Sequence, residues 1–239
     1  QIDIVRQLFE RLNLSGEYQR WQIVTKDVRA FSIVGKIIQY ANNRDFKNTQ
    51  EYLNELSQYA SMENPINRQY KERIEVNLKL RQGLITKEDA RIELEKILAY
   101  TIPTQTAIKQ GEKYLTNVEI QCLLDIAINI GKSQMNPFYN ALIELCNQLE
   151  NDDGITEHIA VWEMLADAIA CLYGNLGEYD ISNEIALKSM RECIYCYRMT
   201  RLAVCLYNNI WNYGRQNKKN ISGLERYNLE KLLNICSTL

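Results

Sequence analysis

Three prolines, ten glycines and a single histidine occur in 239 residues. An all-β chain needs turn residues about every ten positions, so this scarcity excludes a sandwich or barrel and favours long helices. The histidine, His158, stands in no His-Glu-x-x-His pattern, and no Ser or Cys lies in a nucleophile-elbow sequence. Hydrolytic and zinc-peptidase chemistry therefore lack their reagents, and no catalytic residue is expected. No apolar run reaches the roughly 18 residues of a membrane span, and no signal peptide opens the chain. No basic block occurs either: 28 basic residues against 30 acidic ones leave a formal net charge of -2. Autonomous binding to nucleic-acid phosphates by this segment is thereby excluded, since such contacts need clustered Lys and Arg. A Gly-rich phosphate loop is missing, and Asn151-Asp152-Asp153-Gly154 lacks the remaining ligands of a calcium loop.

The cysteines are odd in number, seven, and fall at helical core positions such as Cys122, Cys146 and Cys236. They read as small hydrophobes in a reducing, cytoplasmic compartment rather than as a disulfide framework. Cys193-Ile194-Tyr195-Cys196 is a lone C-x-x-C with no second pair and no histidine nearby, whereas a metal site needs about four converging ligands. No metal and no cofactor is expected.

What the chain does hold is helical pattern, clearest from Trp162 to Met190. Met164, Leu165, Ala168, Ile169 and Leu172 recur at helical spacing, and Ile181, Ile185 and Leu187 do so after Asn175-Leu176-Gly177-Glu178, whose Gly can stop the first helix. Ala166, Ala170, Ser182, Ala186 and Ser189 are small where two antiparallel helices must approach closely. Tyr173 and Tyr179 can fill the wedge at the turn. The same reading gives four more hairpins. The first runs from about Thr25 to Ala41 and, after Asn42-Asn43-Arg44-Asp45, from Asp45 to Tyr59. The second opens at Pro65, at the favoured start of a helix, and resumes after the capping sequence Thr86-Lys87-Glu88-Asp89. The link from Tyr100 to Asn117, with Pro103 and Gly111, has room for one short helix. Thr116 caps the third hairpin, whose return helix begins near Pro137. The fifth pairs about Tyr197 to Tyr213 with about Ser222 to Cys236, placing Trp211 in the core at their junction. Residues 1–24 read as an N-terminal linker region containing a short helix with Ile4, Leu8 and Leu12 on one side. Its abrupt start inside an amphipathic pattern suggests a piece of a longer protein.

First helices recurring at roughly 40 to 50 residues match helical solenoid repeats. With Ile38, Leu124, Ala170 and Asn208 taken as the equivalent close-packing positions, the residues three before, one after and four after should face a shared hollow. Those are Gly35, Gln39 and Asn42; Gln121, Asp125 and Ile128; Asp167, Cys171 and Gly174; and Cys205, Asn209 and Asn212. Asn and Gln each offer a donor and an acceptor, so such a row can pair with both groups of an extended peptide backbone without demanding a sequence. Asp125 and Asp167 favour positive charge, while Arg201 and Lys132 could hold a carboxylate terminus. The same residues also read as the wet side of amphipathic helices.

Leu176-Gly177-Glu178-Tyr179 followed by small residues resembles the turn of a tetratricopeptide repeat, with the large aromatic displaced to Trp162 and no closing Pro. It implies an all-α fold, a right-handed superhelix of about five repeat-like hairpins over residues 25–239. Four further stretches are similar to the carboxy-terminal domain of Gram-positive peptide-sensing transcriptional regulators, the Rap, Npr, PlcR and PrgX group together with Rgg proteins. They are Ile66 to Gln82 around Tyr70, Lys96-Ile97-Leu98-Ala99-Tyr100-Thr101-Ile102-Pro103, Leu115-Thr116-Asn117-Val118-Glu119-Ile120, and Leu206-Tyr207-Asn208-Asn209-Ile210-Trp211. This resemblance implies a short signalling peptide in the concave groove, clamped by Asn209 and Asn212, and a homodimer. DNA would be reached only through a helix-turn-helix domain, of which residues 1–24 carry no pattern. The peptide-binding set expected is Gln39, Asn42, Gln121, Asp125, Asp167, Arg201, Asn209 and Asn212. The competing expectation is a plain adaptor whose groove docks a protein tail without switching.

Overall fold

The computed structural model describes residues 23–108, 115–130, 136–151, 159–195 and 202–217. These form ten helices, and no strand occurs among the described residues: α1 (Arg29–Asn42), α2 (Phe46–Leu56), α3 (Pro65–Arg81), α4 (Lys87–Leu98), α5 (Thr104–Ala107), α6 (Asn117–Ile130), α7 (Pro137–Asn151), α8 (Ile159–Leu176), α9 (Tyr179–Tyr195) and α10 (Leu202–Gln216). The chain is all-α. No described helix is long and apolar enough to cross a membrane. The helices read over residues 2–13 and 222–236, together with Arg201, Lys132, His158, Cys196 and Cys236, lie outside the described residues.

Side-chain caps start α2, α3, α4 and α6 where the sequence places them. Asp45 accepts from the backbone of Asn48 at 3.2 Å, and Asn64 from that of Ile66 at 3.0 Å, with Pro65 next in line. Thr86 and Asp89 satisfy one another's backbone N–H at the head of α4. Thr116 and Glu119 repeat that reciprocal box before α6, at 2.6 and 3.3 Å. The link after Pro103 does contain one short helix, α5. Three helices also end alike. After α1, α3 and α8 the chain turns through a residue of positive φ, Arg44, Gly83 and Gly177. In each the next backbone N–H reaches back to close the turn, as from Glu178 to the Tyr173 carbonyl at 2.9 Å.

The chain divides into two compact units, one reaching to Phe138 and the other beginning at Tyr139. That boundary falls at the start of α7, so α6 and α7, read as one hairpin, belong to different units. In the first unit α1 pairs with α2 and α3 with α4; α2 also touches α3, and α6 packs on α4 and on α3. In the second α8 pairs with α9, α9 with α10, and α10 touches α8. Both units thus follow one rule. The return helices α2, α4 and α9 each lie against their own first helix and the next, and the first helices flanking α4 and α9, α3 with α6 and α8 with α10, meet beside them.

The α8–α9 hairpin shows why the small residues are needed. Ala166, Ala170, Ser182, Ala186 and Ser189 are all fully buried between the two helices. The Ser182 hydroxyl donates to the Ala170 carbonyl at 2.6 Å, so the backbones approach as closely as the sequence pattern implies. In the first unit the core of the α1–α2 pair is Ala30, Ile33 and Ile37 against Leu53 and Leu56. Here the assigned register is one residue off: Ile37 is fully buried and Ile38 is 41% exposed. One residue is about 100° of helix rotation, and the Ala30-Ile33-Ile37 stripe at spacings of three and four sets the buried face.

Buried amides serve the backbone in this unit. Asn67 donates to the carbonyls of Val24 and Ser61 and accepts from the Val24 N–H, fastening the segment before α1 to α3. Gln69 donates to the carbonyls of Ile97 and Leu98 where α4 ends.

Four of the cysteines, Cys122, Cys146, Cys193 and Cys205, are buried, and Cys171 is exposed. Burial pushes the Cys146 thiol up to about 12 and that of Cys205 up to about 11, and raises Cys122 and Cys193 as well. The thiolate is the reacting form. Iodoacetamide near pH 8, followed by peptide mass mapping, should therefore label Cys171 at least tenfold faster than any of those four, a gap of about 1.4 kcal/mol. Equal rates would contradict the burial.

Candidate functional site

Several of the positions expected to face a hollow, Gln121, Asp125, Asp167, Gly174, Cys205 and Asn212, are positions at which neighbouring first helices meet. On α6, Gln121 and Asp125 are half-buried and point at α3. Arg73 of α3 donates through Nε to Asp125 Oδ2 at 2.6 Å and through Nη1 to Gln121 Oε1 at 2.7 Å. Asn77 donates to the same Asp125 oxygen at 2.7 Å. Burial works against the charge on Arg73, and the facing carboxylate more than restores it, holding the guanidinium above its ordinary value.

Arg73 and Asn77 are the residues the sequence reading missed. Their signal was present: taking the buried Val76 as the close-packing position of α3, the residues three before and one after are Arg73 and Asn77. Like meets like in two of the three bonds across the α3–α6 junction. The residue three before on α3, Arg73, bonds the residue three before on α6, Gln121; the residue one after, Asn77, bonds the residue one after, Asp125.

The second unit repeats this correspondence with different chemistry. Asp167 of α8 accepts a long 3.5 Å contact from the Cys205 thiol of α10, both three before their close-packing positions. Gly174 and Asn212, both four after, lie so close that a Cβ at Gly174 would stand 2.6 Å from Asn212 Oδ1. Asp167 and Asn212 are buried, and Asn212 spends its amide on Ser182 Oγ at 2.7 Å and Asn183 Oδ1 at 2.8 Å. Asp167 also accepts from Ser189 at 3.4 Å. In this structure both side chains build the α8–α9–α10 junction. Asn209 is half-buried and donates to the Cys205 carbonyl of its own helix at 3.0 Å, leaving its amide oxygen for another donor.

On α1, Gln39 and Asn42 are exposed. With the register corrected to Ile37, the equivalent positions become Val34, Ile38 and Ala41, so the carboxamide row does not continue onto that helix. Trp211 is neither fully buried nor free, its ring lying 4.7 Å beneath the Arg215 guanidinium.

Elsewhere, an open furrow of about 630 Å³ runs between α2 and α3, with Lys47, Lys79 and Glu75 among its lining groups. Their mixed signs converge on no common point. Among the described residues no group of three or more His, Cys, Asp or Glu is placed to hold a metal ion. No family model, no curated protein and no solved structure matches this chain.

Proposed function

We propose that this chain is a repeat-type peptide-sensing domain, stacked as a right-handed superhelix of tetratricopeptide-like hairpins, that binds a short extended peptide along its first helices. The observation carrying this reading is the register match of α3 with α6 and of α8 with α10, where equivalent positions touch. Matched neighbours are what a stack of repeats produces, and stacked repeats present their first helices as one continuous surface. Half-buried polar groups on first helices, Gln121 and Asp125 in one unit and Asn209 in the other, keep hydrogen-bonding capacity for a peptide backbone. In this proposal the domain is cytoplasmic, dimerises, and passes peptide occupancy as a shift in curvature to an attached helix-turn-helix domain. It performs no catalysis of its own.

The test is a selection of random octapeptides displayed against the chain, followed by calorimetry of the enriched sequences. Peptides should enrich and bind one per chain, and Asn209→Ala should weaken them about tenfold, the loss of one well-made hydrogen bond. Absence of any enriched peptide would overturn the reading. Peptides that bind without altering the dimer equilibrium in sedimentation would leave the plain adaptor.

A further inference from the structure

Resting on that reading, the structure carries one step more about the ligand. At the α3–α6 junction the Arg73–Asp125 pair is joined at one point and not two. The bond runs from Nε to Oδ2, and the second nitrogen edge of Arg73 and the second oxygen of Asp125 make no hydrogen bond. Neither of these atoms is among the sealed, unpartnered polar atoms, so both reach solvent, in side chains 16% and 18% exposed. The cluster accordingly offers the outside one strong donor, Nη2, and one strong acceptor, Oδ1, at no net charge.

A ligand carboxylate that took the donor would bring its charge against Asp125, and a ligand ammonium that took the acceptor would bring its charge against Arg73. Like charges so close are unfavourable in a half-buried site. A peptide residue meets neither penalty, because in an extended chain its own C=O and N–H point the same way. We infer that the Arg73–Asp125 cluster is a clamp for the main chain of one residue of an extended peptide, taking its carbonyl on Arg73 Nη2 and its amide N–H on Asp125 Oδ1. The site thus favours main-chain groups over a carboxylate or an ammonium group at this step of the ligand.

The experiment uses isotopically labelled chain and three capped pentapeptides: one of alternating alanine and asparagine, and two with the central residue changed to aspartate or to lysine. Side-chain NMR signals of Arg73 Nε–H and of the Asn77 and Gln121 amides report on the cluster directly. The neutral peptide should shift all three saturably, the two charged peptides should bind no more tightly, and the shifts should vanish in Asp125→Asn with the backbone spectrum otherwise retained. Tighter binding of the aspartate peptide would make the cluster an anion site, and of the lysine peptide a cation site; either overturns the clamp, as does a neutral peptide that leaves these signals unmoved. Failure here is separable from failure of the octapeptide selection, which reads binding anywhere on the chain.

Discussion

Trp162→Ala should cost about 3–5 kcal/mol of stability, the range for removing a large aromatic from a packed interior. Trp162 is 1% exposed in the first turns of α8. Its indole N–H donates to Glu150 Oε1 at 2.9 Å, and the other carboxylate oxygen accepts from Lys188 at 2.6 Å. One side chain therefore joins α7, α8 and α9, with the Lys188 ammonium 5.8 Å from the ring centroid. Alanine would open a cavity and at the same time take the indole donor from Glu150. Urea unfolding followed by helical circular dichroism measures the loss. A change under about 1 kcal/mol would show that the tryptophan does not carry the packing of its unit.

Gly174→Ala is the second large effect, and its sign depends on a neighbour. In a helix interior alanine is favoured over glycine by about 1 kcal/mol. Here the added carbon would meet Asn212 Oδ1 at 2.6 Å and Ser182 Oγ at 3.2 Å. Asn212 cannot swing away cheaply, being 1% exposed and held by two hydrogen bonds. Overpacking of this kind costs about 1–3 kcal/mol, so the single change should destabilise by about 1–2 kcal/mol net. In an Asn212→Ala background only the 3.2 Å approach to Ser182 Oγ remains, and the same Gly174→Ala change should cost at least about 1 kcal/mol less than in the native chain. Additive effects in this double-mutant cycle would refute the close approach of α8 and α10.

Features that depend on neighbours in the sequence were legible in it. Asn64-Pro65, Thr86 with Asp89, Thr116 with Glu119, and Gly177 all start or stop helices as their side chains or backbone require. The close α8–α9 contact followed from small residues at helical spacing. Periodicity says which face of a helix is polar, and it does not say whether another helix supplies the polar partner. Asp167 and Asn212 therefore read as wet when they are satisfied inside their junction by Cys205, Ser189, Ser182 and Asn183. Arg73 and Asn77 were hidden for the converse reason: α3 carries Tyr70, Ile74 and Leu78 at the spacing first noticed, and Val76, which orients the α6-facing side, lies off that line. On α1 the adjacent pair Ile37-Ile38 left two registers open, and the match to Leu53 and Leu56 decided between them.

The handshake of equal positions across neighbouring first helices sets what lengths of change each unit can absorb. Inserting or removing an entire hairpin keeps equivalent positions opposite one another one step along. Deleting one residue inside a first helix turns all that follows by about 100°, carrying buried side chains to water and charged ones inward. Such a chain can grow or shrink by modules far more readily than by single letters.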